Sequence, residues 1–156
     1  AAGLAGTKAM EQVASRLMAL ESEADQQREQ AVGPGPPFVL AARNLAQRVL
    51  GVDPDEDQQS KAGMILHYGA GLAWAPLYQQ LRRRTGMGPV AAGLATGASQ
   101  SLLLDEVVTP AIGASAPNRD YPVSTHLRGL AAHLAYGLAI AAVTEFVWKA
   151  TGAVTR

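Results

Sequence analysis

Two histidines occupy matching places in two neutral, glycine-rich stretches. His67 lies in GMILHYGAGLAWA and His133 in GLAAHLAYGLAIA. An imidazole in such a setting can ligate a metal or haem, relay a proton, or hydrogen-bond a quinone or a lipid head group. It can equally bond to a carbonyl or carboxylate on the next helix and do no more than fix the helix register. The carboxylates that could join them are Asp105 and Glu106, which follow a third neutral stretch, and Glu145, in line with His133 at four-residue spacing. Lys8 and Glu11 are three apart, so on a helix they share a face and can pair. Inside a membrane span each of these seven groups is costly unless paired, which makes them the candidate intramembrane polar site. The sequence has no cysteine, which excludes disulfides, thiolate metal sites and cysteine nucleophiles. It has no serine elbow, HExxH, Rossmann fingerprint or GK[ST] phosphate loop. No catalytic residue and no metal-ligand set is therefore assigned. The chain is read as non-enzymatic and without a cofactor, with haem or a quinone at His67 and His133 as the alternative.

Whether those groups lie in lipid depends on the elements that carry them. The central stretch is Gly63 to Arg84, which has no formal charge until Arg82, Arg83 and Arg84. A helix needs roughly 20 mostly apolar residues to cross a bilayer, and arginines hold its cytoplasmic end. Charged residues are only 17% of the chain, against about 25% in ordinary domains, and they cluster between long neutral gaps. The mean hydropathy of +0.04 is low because Gly and Ala replace large apolar residues. In lipid, small residues let helix backbones approach closely. A net charge of +0 gives no reason to expect nucleic acid.

Taken in order, Ala1 to Glu29 is expected to form one long helix. Its apolar half is a first span that begins upstream of Ala1, or else a half-buried surface helix. GPGPP at Gly33 to Pro37 ends it. Phe38 to Gly51 places Arg43, Asn44, Gln47 and Arg48 on one side and Phe38, Leu45, Val49 and Leu50 largely on the other, which suits a helix lying in the membrane interface or on a soluble partner. Asp53 is expected to cap the next helix, with Pro54 at its first position and Glu56 three residues on. Pro76 should kink that helix. A third span runs from Val90 to Leu104 and ends at Asp105 and Glu106. After a proline-rich loop, Ser124 or Thr125 caps a fourth, from His126 to Lys149. The fold class is all-α: a polytopic helical membrane protein with about four transmembrane helices and one amphipathic interfacial helix, in one domain over 1–156. Arg82 to Arg84, Lys149 and Arg156 mark the cytoplasmic side, while Arg28, Arg43, Arg48, Lys61, Arg119 and Arg128 fall outside or at the outer edge and argue partly against that orientation.

GMILHYGAGLAWA and GLAAHLAYGLAIA align without gaps, and AAGLA occurs at Ala1 and again at Ala91. A parallel two-helix repeat, 1–84 and 88–150 with an insert at 31–60, is one explanation; chance in a Gly/Ala-rich chain is the other. Gly63 and Gly71, Gly129 and Gly137, and with them Gly93 and Gly97, form small-residue stripes of the kind on which membrane helices pack.

The segments AAGLAGTKAMEQ, HYGAGLAWAPLY and STHLRGLAAHLAYGLA resemble the YagU-like group of uncharacterised small bacterial inner-membrane proteins. The resemblance implies a multi-pass helical protein of the bacterial inner membrane without an assigned reaction, and it carries over no catalytic residue. The expected partners are membrane lipids and other membrane-protein subunits or further copies of the chain. The expected role is an accessory or scaffold subunit. Proton or small-solute transport through the intramembrane histidines and carboxylates is one alternative, and a soluble helical ligand-binding domain is another.

Overall fold

A computed structural model describes residues 1–33 and 35–153; Pro34 of the GPGPP break and Arg156 lie outside the described residues. The described chain is helical, with no strand. Its elements are α1 (Ala2–Met18), α2 (Glu23–Val32), α3 (Pro37–Leu45), α4 (Glu56–Thr85), α5 (Pro89–Gln100), the short α6 (Thr109–Ala111) and α7 (Val123–Thr151). π-helical turns extend α3 over Ala46–Leu50 and join α5 to α6 over Ser101–Val108.

Four of these helices form a bundle. α7 packs along both α1 and α5, and α4 closes the ring against the same two. Neighbours run antiparallel: Gly6 near the start of α1 meets Tyr136 and Ile140 of α7, while Glu21 beyond its end meets Arg128. One end of the bundle carries Arg82 to Arg84. The other carries α2, the start of α4 and the loop before α7.

The backbones come together where glycine removes the side chain. A Cβ on Gly137 would lie 2.0 Å from the Gly93 carbonyl oxygen, and one on Gly97 would lie 2.0 Å from the His133 carbonyl oxygen. On the other flank, a Cβ on Gly3 would lie 2.8 Å from the Gly71 carbonyl oxygen, and one on Gly71 would overlap Thr7 Oγ1 at 2.2 Å. Gly63 meets the α3 backbone at Val39, 2.9 Å from where its Cβ would be. Gly129 differs: its Cβ would meet only Asp105 Oδ2, at an ordinary 3.6 Å. Tyr136 crosses the bundle, and its hydroxyl donates to the Gly71 carbonyl at 2.5 Å.

The interior is small and polar, and the exterior is apolar. Thr7, Thr96, Gln100, Ser101, His133 and Thr144 are buried. Leu4, Ile65, Val90, Leu102, Val107, Leu127 and Phe146 are exposed. α3 shows the same inversion. Leu45, Val49 and Leu50 point away from the protein, while Asn44 donates to the carbonyls of Ile112 and Gly113 at 3.3 and 2.8 Å. The solvent-accessible surface is 9055 Å² for 16.2 kDa, above the roughly 7,400 Å² expected of a water-soluble monomer of that mass.

Several local expectations are corrected. Ala1 to Glu29 is two helices, because Ser22 accepts the Asp25 backbone N–H and starts α2 anew. Gln26 then reaches back to donate to the Met18 carbonyl, which also accepts the Glu21 backbone N–H. The cap of α4 is Asp55, not Asp53, in a reciprocal capping box with Gln58. The DPDED run offers the cap pattern in two registers, and Asp53 is instead held by Gln47 at 2.7 Å. Asp105 and Glu106 do not end their helix, which continues to Ala111. Pro76, by contrast, sits inside α4 as expected, where it has no N–H to donate to the Leu72 carbonyl one turn back.

Even one added methyl at Gly137 must force α5 and α7 apart. Gly137→Ala is expected to cost roughly 2–3 kcal/mol of stability by overpacking. Gly69→Ala, with open space at its Cβ, should be neutral or gain up to about 1 kcal/mol from helix propensity. Unfolding titrations of both variants in detergent check this; equal stability for the two would mean that the close approach of α5 and α7 is wrong.

Candidate functional site

The seven candidate residues fall into three places. Lys8 and Glu11 pair on α1 at 2.8 Å, and His67 of α4 brings Nε2 to 3.4 Å from the other Glu11 oxygen. The Lys8 ammonium also lies 5.1 Å from the centre of the Tyr68 ring. On the opposite flank, His133 Nδ1 is 2.9 Å from the Gly129 carbonyl oxygen and 3.3 Å from Asp105 Oδ2. Each histidine therefore reaches a carboxylate on a neighbouring helix. Glu145 is in neither group. It lies toward the arginine end, where it accepts from Tyr78 at 2.8 Å and from Arg82 at 2.6 Å. Arg82 then donates to the Met87 carbonyl and fastens the turn into α5.

His67 and His133 line one cleft of about 340 Å³ between α1, α4 and α7, roofed by Phe38 of α3. The Phe38 and His67 rings are stacked at a tilt, with centroids 4.8 Å apart. The remaining walls are mostly apolar, from Met10, Ala14, Met64 and Ala132. Among the described residues, no three His, Cys, Asp or Glu side chains converge as a metal site.

Asp105 and Glu106 lie in the π-helical stretch, and as adjacent residues on a helix they face different ways and serve different partners. Asp105 approaches His133, while Glu106 holds His126 at 2.8 Å through Nδ1. The other nitrogen of His126, Nε2, is 3.0 Å from the Asn118 carbonyl oxygen, and Asn118 in turn donates to the Glu106 backbone carbonyl. Both ring nitrogens face acceptors, so the doubly protonated ring satisfies both.

Sequence reasoning missed this cluster and its neighbour around Arg128. Arg128 donates to Glu21 at 2.5 Å and to both oxygens of Glu29 at 2.6 and 2.8 Å. Ser124 and Thr125, expected to cap α7, donate instead to Asp25 and Glu29 of α2. α7 begins at Pro122 with no side-chain cap. α2 has no buried residue, so these polar bonds are what dock it. The available signal was the i, i+4 spacing of Glu21, Asp25 and Glu29 on one helical face.

No known protein family, curated protein or solved structure matches the chain. The fold is thus defined by its own geometry: among the described residues, an all-helical bundle with one helix, Val123–Thr151, long and apolar enough to cross a membrane. The likeness to YagU-like proteins rests on the three sequence segments alone.

One outcome follows for the end of the bundle where α2 docks. Arg128→Met should leave Glu21 and Glu29 facing one another unpaired, cost roughly 2 kcal/mol and undock α2. Amide exchange should then rise across Glu23–Val32 and not in the middle of α7; a uniform rise, or none, would exclude this anchoring role.

Proposed function

We propose that the chain is an integral membrane protein whose four bundle helices α1, α4, α5 and α7 cross the bilayer, and that it serves as a non-catalytic accessory or scaffold subunit. The observation that carries this reading is the inverted distribution of polarity. In water, large apolar side chains at 40–70% exposure around a whole bundle have no stabilising partner. In lipid they are in their proper solvent, and threonine, serine and glycine at the helix contacts supply close packing and hydrogen bonds. α7 meets the length requirement outright: 29 residues span about 43 Å at 1.5 Å per residue. α1 and α4 are less apolar because they carry the paired Lys8, Glu11 and His67. α5 gains its length from the π-helical continuation to Ala111.

The arginines at 82–84 make that end cytoplasmic by the positive-inside bias, in the inner membrane of a bacterium. At that end the Arg83 guanidinium lies 5.7 Å from the centre of the buried Trp148 ring. The large apolar side chains on the outer faces offer surface for association with other subunits or with further copies of the chain.

A second reading, proton or small-solute traffic, is favoured by one observation. Two histidine–carboxylate pairs, His67–Glu11 and His133–Asp105, stand on either side of one cleft within the bundle.

The two exposed turns test the threading. Reporter tags inserted after Gly86 and after Gly113 should lie in opposite compartments, with the first cytoplasmic, and the protein should leave the membrane only with detergent. Tags in a single compartment, or protein that is soluble without detergent, would overturn the membrane reading. A mild-detergent pull-down should then recover a stoichiometric partner or homo-oligomer, and proteoliposomes should carry no flux that His67→Ala or His133→Ala abolishes.

A further inference from the structure

The cleft between α1, α3, α4 and α7 has the size and chemistry of a small-molecule site. Its volume of about 340 Å³ falls in the usual range of roughly 300–1,000 Å³ for such sites. Its walls are mostly apolar; the polar groups in its lining are the two imidazoles, the Glu11 carboxylate already paired with Lys8, and the Ser15 hydroxyl at the mouth.

The partners of those imidazoles fix what they can still do. His133 Nδ1 faces two oxygen acceptors, the Gly129 carbonyl and the Asp105 carboxylate, so Nδ1 carries the proton. In the neutral ring Nε2 is then a lone pair. His67 Nε2 lies 3.4 Å from the Glu11 carboxylate, a longer contact that favours the tautomer with the proton on Nε2 and the lone pair on Nδ1. In these tautomers each ring keeps one acceptor nitrogen.

We propose that this cleft binds a lipophilic molecule ending in a hydroxyl group, which donates its O–H to His67 or His133 while its tail lies along Met10, Met64 and Ala14. A carbonyl or ether at the same position would set lone pair against lone pair. Two ligand sources share this chemistry: a phenolic head, as in a hydroquinone, and an aliphatic alcohol, as in a diacylglycerol. The Phe38 ring stacked beside His67 offers a flat surface to the first. There is free space next to His133, since Gly129 meets nothing closer than the Asp105 carboxylate. Met64, 40% exposed, and the exposed Ser15 place the mouth on the outside of the bundle. Entry of the ligand from the bilayer rests on the membrane reading above; the hydrogen-bond preference does not, and the compartment tags test the former separately.

The test is equilibrium dialysis of the detergent-purified protein against a decyl hydroquinone kept reduced, its dimethyl ether, and 1,2-dioctanoylglycerol. At least one hydroxyl ligand should bind saturably, and at least about tenfold more tightly than the ether, because a site built around an O–H rejects the analogue that lacks it. Binding of the hydroquinone alone assigns a phenolic head, and binding of the glycerolipid alone assigns an aliphatic one; either supports the proposal. Ser15→Trp fills the mouth from an exposed position and leaves both histidines in place, and it should weaken binding by about tenfold or more. His67→Phe combined with His133→Phe should erase the preference for hydroxyl over ether. Should the double variant fail to fold, Ser15→Trp and the ether comparison decide. Absence of saturable binding by either hydroxyl ligand, equal binding of the ether, or full binding to Ser15→Trp would each overturn the proposal.

Discussion

The structure depends on backbone contact between helices that have given up their side chains. Gly93, Gly97 and Gly137 bring α5 and α7 together, and Gly3, Gly71 and Thr7 do the same for α1 and α4. At these distances no other residue fits, so van der Waals contact between main chains replaces an interdigitated core of large side chains. The two contacts are built alike. Gly3 sits on the Gly71 carbonyl as Gly93 sits on the Gly137 carbonyl, each with a hypothetical Cβ at 2.8 Å. These positions are the ones that the AAGLA and GMILHYGAGLAWA alignments pair, which gives the internal repeat a physical basis to be tested.

Close backbones dictate where everything else goes. Large apolar residues have no room inside and line the outer faces, while hydroxyl groups turn inward onto their own helices. Thr7 bonds the Gly3 carbonyl and Thr96 the Ala92 carbonyl, each one turn back. Such bonds satisfy the hydroxyl without needing water, as a bundle in lipid requires. Tyr78, Tyr136, Ile140 and Trp148 are the large side chains buried within this frame, and two of them are tyrosines whose hydroxyls find partners.

The ionisable groups are then distributed by what each end of the bundle can pair. The arginine end uses a single carboxylate, Glu145, to bind Tyr78 and Arg82. The opposite end uses Glu21, Asp25, Glu29 and Glu106 to dock α2 and the pre-α7 loop onto Arg128, Ser124, Thr125 and His126. Between them lie the His67 and His133 pairs, beside the cleft. The Glu106–His126 and Asp105–His133 contacts come from adjacent residues of the π-helical stretch that face different ways.

The sequence by itself determined the helical class, the long neutral stretches, the terminating role of the GPGPP and glycine turns, and the small-residue stripes. These are local properties: helix period, breakers and side-chain size are read along one chain segment. It also marked His67, His133, Asp105 and Glu11 as polar groups in unusual surroundings. Only the tertiary structure decided their partners, because pairing brings together residues from separate helices whose rotation no single segment specifies. It separated Glu145 from the histidines, moved the α4 cap from Asp53 to Asp55, gave Ser124 and Thr125 to α2, and recruited His126 and Arg128, which look like ordinary surface residues in sequence. It also turned the apolar side of α3 outward. Amphipathic spacing fixes which residues share a face, but the direction of that face is set by what the helix packs against.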